Sequence, residues 1–94
     1  MTEELSATLE DYLEVIWRLQ QQKGFARVRD IAEALGVANS TGTAALQALH
    51  EKGLINYKPY EPVTLSTEGN ERSERIVRRH RIIEDFLVNV LDID

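Results

Sequence analysis

Asp11 and Glu14 stand three residues apart in one helical pattern, and His80 and Glu84 stand four apart in another. Each spacing puts its two side chains on neighbouring turns of a single helix face. Packed together, two such helices could converge three carboxylates and an imidazole. That donor set is hard to borderline, suited to manganese(II) or iron(II). Copper(I) or a structural zinc would want thiolates, and the chain has no cysteine. The same spacings also describe an ordinary charged helix face, and acids near a helix start are favoured by the helix dipole. Spacing alone leaves both readings open.

A second constellation runs from Val28 to Gly53, where two short helical patterns flank a turn at Gly36-Val37. The first puts Ile31, Ala32 and Leu35 on one face; the second puts Ala45, Leu46 and Leu49 on one face. Asn39 or Ser40 is expected to cap the second helix, and Gly53 to stop it in a left-handed conformation. This predicts a helix-turn-helix. The outer face keeps Ser40, Thr41, Thr43, Ala44 and Gln47, with Asn39 at its start. Such a small, polar strip is what a recognition helix offers to base edges. Ala44 can give a thymine methyl contact but no hydrogen bond. Arg27, Arg29, Lys52 and Lys58 flank the motif as candidate phosphate anchors, or as a solvated surface.

The elements that must position these residues are legible from periodicity. Leu9, Tyr12, Leu13, Ile16 and Trp17 form one stripe of a first helix, which starts near Thr8, stops before Gly24 and leaves Gln20 to Lys23 in solvent. Trp17 is expected in the core. Leu54 to Tyr57 and Val63 to Leu65 read as a two-stranded wing interrupted by Lys58-Pro59-Tyr60-Glu61-Pro62. Ser66 is expected to cap a long last helix. Its apolar positions are Ile76, Val77, Ile83, Phe86, Leu87, Val90 and Leu91. The result is a mainly α fold, a winged helix-turn-helix with a long C-terminal helix. Residues 1–66 form the DNA-binding part and residues 67–94 begin a dimerisation region. Ninety-four residues make one compact unit with a modest core, so stability assisted by a partner is expected. The apolar seam Ile83, Leu87, Val90 and Leu91 is the expected homodimer contact.

A formal charge of -5 opposes DNA binding, but it is unevenly spread. From Lys23 to Tyr60 there are five bases and three acids; the flanking segments are acidic. No apolar run would cross a membrane or act as a signal peptide, so a cytoplasmic protein without membrane contacts is expected. No nucleophile stands beside His50 or His80 and no glycine-rich phosphate loop is present, so an enzyme is not expected. His50 is placed near the end of the recognition helix, where a cation is mildly favoured. Arg72, Arg75, Arg78, Arg79 and Arg81, interleaved with Glu71, Glu74 and Glu84, read as a salt-bridged exposed face, with a phosphate role open for Arg78 or Arg79.

Four segments in this order, Leu9-Glu-Asp-Tyr-Leu-Glu14, Asp30-Ile-Ala-Glu-Ala-Leu35, Gly53-Leu-Ile-Asn-Tyr-Lys-Pro-Tyr60 and Arg79-His-Arg-Ile-Ile-Glu-Asp-Phe-Leu87, resemble the N-terminal portion of the diphtheria toxin repressor family. Within it the chain most resembles the manganese transport regulators. The resemblance implies a dimeric transcriptional repressor that binds manganese(II) or iron(II) and then a palindromic operator in double-stranded DNA. It implies that Asp11, Glu14 and His80 are metal ligands, with Glu84 at a position that serves an ancillary site in the iron-responsive branch. The family completes its site from a further helix that would follow Leu91-Asp-Ile-Asp94, so the site is expected to be incomplete in this chain. Ser40, Gly42, Ala44 and Pro62 depart from the family pattern of a proline, a branched apolar residue, a longer polar residue and a glycine. Direct base readout is therefore expected to be modest or shape-dependent. A winged helix that binds DNA without metal, or one turned to protein contacts, would share the same fold.

Overall fold

The computed structural model describes residues 5–90, with side chains as far as residue 82. Ser6 accepts a hydrogen bond from the Leu9 amide at 3.2 Å and opens α1 (Ala7–Lys23), slightly ahead of the expected Thr8. Gly24 closes it at φ 86°. Next come α2 (Val28–Leu35) and α3 (Asn39–Glu51). Between them Gly36 turns at φ 69° and the Val37 amide donates to Ala32 at 3.0 Å, which makes the expected turn.

The expected cap of α3 by Asn39 or Ser40 does not form. Ala38 holds the extended N-cap conformation, and Asn39 is already the first helical residue. With Ala38 in the N-cap place, Asn39 and Ser40 fall in the first helical turn, where both side chains are exposed.

The wing is shorter than the apolar pattern suggests, with β1 (Ile55–Asn56) antiparallel to β2 (Thr64–Leu65) and Ile55 opposite Leu65. A third segment joins it, since the Val63 amide donates to the Ala26 carbonyl at 2.7 Å. Ser66 caps α4 (Thr67–Val90) as expected: its Oγ accepts from the Gly69 amide at 3.0 Å and donates to the Gly53 carbonyl at 2.8 Å.

One core joins every element: Tyr12, Leu13 and Ile16 of α1, Ile31 of α2, Leu46 and Leu49 of α3, Leu54, Ile55 and Val63 around the wing, and Ile76 of α4. Trp17 lies outside this cluster. It is half-buried, and its indole N–H is shielded from water without an acceptor. Gln20 is not a solvent-facing residue either, because its Oε1 accepts the Leu65 amide at 2.9 Å and ties α1 to the wing.

The arginine face of α4 also divides. Arg75, Arg78 and Arg81 are exposed, whereas Arg72 and Ser73 are buried, because α4 lies along α1 and turns these two inward with Ile76. The Ser73 hydroxyl donates to the Gly69 carbonyl at 2.8 Å. Gly69 is required by contact: a Cβ there would run into the Leu54 carbonyl. The side chains of the expected seam, Ile83, Leu87, Val90 and Leu91, and that of Phe86 lie outside the described residues. Among the described residues no helix is long and apolar enough to cross a membrane.

Candidate functional site

Two regions carry the residues with chemistry. The first is the face between α1 and α4. The three-and-four spacing of α1 puts Glu10 and Glu14 toward α4, and α4 answers with Arg79 and His80. Arg79 Nη2 donates to Glu10 Oε1 at 2.9 Å, and His80 Nδ1 lies 2.9 Å from Glu14 Oε1. An ionised carboxylate only accepts, so Nδ1 carries the proton and donates. Glu14's other oxygen is taken by Arg18, one turn on, through Nη2 at 2.7 Å and Nε at 3.0 Å. Glu14 is the shielded member of this group, with its side chain 16% exposed against 36% for His80 and 51% for Arg18.

Of the residues that the family resemblance implies as ligands, Glu14 and His80 are therefore brought together. Asp11 is exposed and does not join them; one residue round the helix, Glu10 faces α4 in its stead and holds Arg79. Among the described residues no three of His, Cys, Asp and Glu are close enough to hold a metal ion. The side chain of Glu84 lies outside the described residues. The donor pair itself fits a metal. For metal to ligand distances of about 2.1 Å, neighbouring donors of an octahedral ion lie about 3 Å apart, close to the spacing of the imidazole and carboxylate here. A carboxylate and an imidazole make a partial, hard to borderline site whose remaining donors come from elsewhere.

The second region is α3 and its flanks. Gly42, Leu46 and Leu49 face the core, so Ser40, Thr41, Ala44 and Gln47 form a continuous exposed strip, with exposed Asn39 at its N-terminal end. Thr43 is half-buried and stands at the edge of that strip. Gly42 faces Ala32 of α2, where an added Cβ would meet Ala32 Cβ at 3.5 Å, an ordinary contact. Arg27, Arg29, Lys52 and Lys58 are all exposed. Arg27 precedes α2 with its guanidinium 5.0 Å from the Phe25 ring centroid, and Lys58 opens the wing turn. His50 ends the exposed side of α3, where Nδ1 lies 3.2 Å from the Ile55 carbonyl and serves the wing.

Periodicity did not single out Glu10, Arg18, Gln20 or Tyr60. Arg18 stands four residues after Glu14, a spacing visible in the sequence. Glu10 and Gln20 find partners far along the chain, for which no local signal exists. Arg79, left open for phosphate, is engaged by Glu10 because α4 crosses α1 there.

Residues 4–63 match the family described as iron dependent repressor, N-terminal DNA binding domain. Residues 66–94 match iron dependent repressor, metal binding and dimerisation domain. The HTH-type transcriptional regulator MntR of Shouchella clausii (strain KSM-K16) is 44% identical over 80 residues, covering 85% of this chain and 56% of that protein. MntR of Bacillus subtilis (strain 168) is 41% identical over the same share of each. The chain thus spans about half the length of the curated relatives it matches. Among solved structures, IdeR of T. acidophilum superposes with a TM-score of 0.83 at 25% identity, over 99% of this chain and 43% of that one. MepR, a transcription regulator of the Staphylococcus aureus multidrug efflux pump MepA, superposes with a TM-score of 0.73 at 24% identity, over 92% of this chain and 65% of that one. That second likeness is one of winged-helix fold.

Proposed function

Because the chain belongs to the iron dependent repressor family, we propose that it is the DNA-binding part of a metal-responsive transcriptional repressor, acting as a homodimer on a two-fold operator. The observation that carries this reading is the meeting of Glu14 and His80, distant in sequence, at 2.9 Å between α1 and α4. Glu14 and His80 would hold the ion, with exposed Asp11 as a further donor that the pair does not yet include. A bound manganese(II) or iron(II) would supply a double positive charge joining α1 to α4.

The protein's own residues do the rest. Oε1 of Glu14 accepts a hydrogen bond from His80 Nδ1, and Arg79 with Glu10 makes a second polar link between the same helices. The position of α4 is thereby coupled to that of α1, against which α2 and α3 pack. On the far side α3 offers Ser40, Thr41, Thr43 and Gln47 to base edges and Ala44 to a thymine methyl, while Arg27, Arg29, Lys52 and Lys58 take phosphates. Residues 1–66 serve as the reading unit and residues 67–94 begin the region that pairs two copies. The 62% exposed Ile82, a large apolar side chain on α4, supports such pairing.

Selection from a random-site DNA pool with manganese(II), with iron(II) under anaerobic conditions and with chelator tests the reading. Selected DNA retained only with metal is the expected result. Equal retention with chelator would leave a metal-independent DNA reader, and no retention at low salt would favour the protein-contact alternative.

A further inference from the structure

The wing turn contains the one described non-glycine residue with a left-handed backbone, Tyr60 at φ 66°. The Glu61 amide donates to the Lys58 carbonyl at 3.2 Å, which closes Lys58-Pro59-Tyr60-Glu61 as a tight turn. Pro59 suits the second position of such a turn. The third, with positive φ, is the place where glycine or asparagine costs least. A bulky residue held there is strained, and packing normally compensates. Here it does not: Tyr60 is 106% exposed, well beyond the 62% of Ile82. Neither the turn nor the core accounts for a tyrosine, so its reason lies in a contact outside the chain.

The surroundings select the occupant. Tyr60, Glu61 and Pro62 face Arg27 and Val28 across an open cleft of about 350 Å³. Exposed Arg27 lines the same cleft and exposed Lys58 opens the turn, in a segment from Lys23 to Tyr60 that carries five bases and three acids. An aromatic face with a hydroxyl donor, beside a cleft cation and two residues after another cation in the turn, matches a deoxyribose edge flanked by phosphates. Glu61 in the cleft wall favours contact through ring and sugar over a phosphate seated in the cleft itself.

We propose that Tyr60 is a DNA contact of the wing, laid on the minor-groove edge beside the half-site read by α3. This rests on the DNA-binding reading above. It would also supply selectivity by groove shape, which α3, with Gly42 turned inward and Ala44 unable to hydrogen-bond, provides poorly by base contacts.

The test measures thermal stability and DNA affinity together for Tyr60→Gly and Tyr60→Asn, on a duplex selected by the unaltered chain with manganese(II). Both variants relieve the left-handed strain, so Tm is expected to rise by a few degrees. Affinity is expected to fall about tenfold or more, with an unchanged salt slope, because a tyrosine ring on a sugar releases no counterions; Lys58→Gln should flatten that slope. Unchanged affinity in both variants overturns the proposal while leaving DNA binding intact. A parallel fall in stability and affinity also overturns it, because it would make Tyr60 a structural residue. If the unaltered chain selects no DNA, the proposal and the DNA-binding reading fall together.

Discussion

Oε1 of Glu14 accepts a hydrogen bond from His80 Nδ1 at 2.9 Å while Oε2 of the same carboxylate accepts one from the Arg18 guanidinium at 2.7 Å. A single half-shielded carboxylate thus balances an imidazole from another helix and a cation from its own. Both oxygens of the carboxylate are engaged by cationic or N–H groups, and an incoming ion must share them.

Arg18 therefore opposes metal binding. At about 5 Å, a guanidinium and a divalent ion repel by about 1.7 kcal/mol even at the permittivity of water. Arg18→Gln is expected to tighten manganese(II) binding about tenfold, read by the electron paramagnetic resonance signal of the free ion. Weaker binding by the variant would show that Arg18 positions Glu14 for the ion and does not compete with it.

Gly42 is dispensable. A Cβ there would meet Ala32 Cβ at 3.5 Å, an ordinary contact, and the position is helical. Gly42→Ala should stabilise the fold by about 0.5 to 1 kcal/mol through helix propensity, seen as a higher urea midpoint with an unchanged slope. A lower midpoint would mean that α2 and α3 cannot admit a methyl group.

Gly69 is the opposite case. Its Cβ would collide with the Leu54 backbone at the junction of wing and α4, where no flexible side chain can yield. Gly69→Ala is expected to cost about 3 kcal/mol, by the same urea measurement. An unaltered midpoint would refute the close approach.

The contrast between these two glycines marks what the sequence could convey. The stripes of α1 and α3, the Gly36 turn and the Ser66 cap were legible because each depends on residues within a turn or two of one another. The inward turn of Arg72 and Ser73, the Gln20 link to Leu65 and the Ala26 bridge to Val63 depend on how distant elements cross, which no local pattern encodes. In the candidate site the resemblance pointed to Glu14 and His80, which do meet; it did not point to Glu10, because one residue's rotation on α1 decides whether Glu10 or Asp11 faces α4. The cap of α3 was misplaced since a capping side chain and a first-turn residue look alike in sequence. Tyr60 went unnoticed because strain belongs to a backbone angle and leaves no mark in residue type.

The most direct test compares the DNA affinity of the unaltered chain and of His80→Ala, on one selected duplex, with manganese(II) and with chelator. The unaltered chain is expected to bind at least tenfold more tightly with manganese(II), and His80→Ala to bind equally weakly in both. A metal response of the same size in His80→Ala, or none in the unaltered chain, would contradict control of DNA binding through the Glu14 and His80 pair.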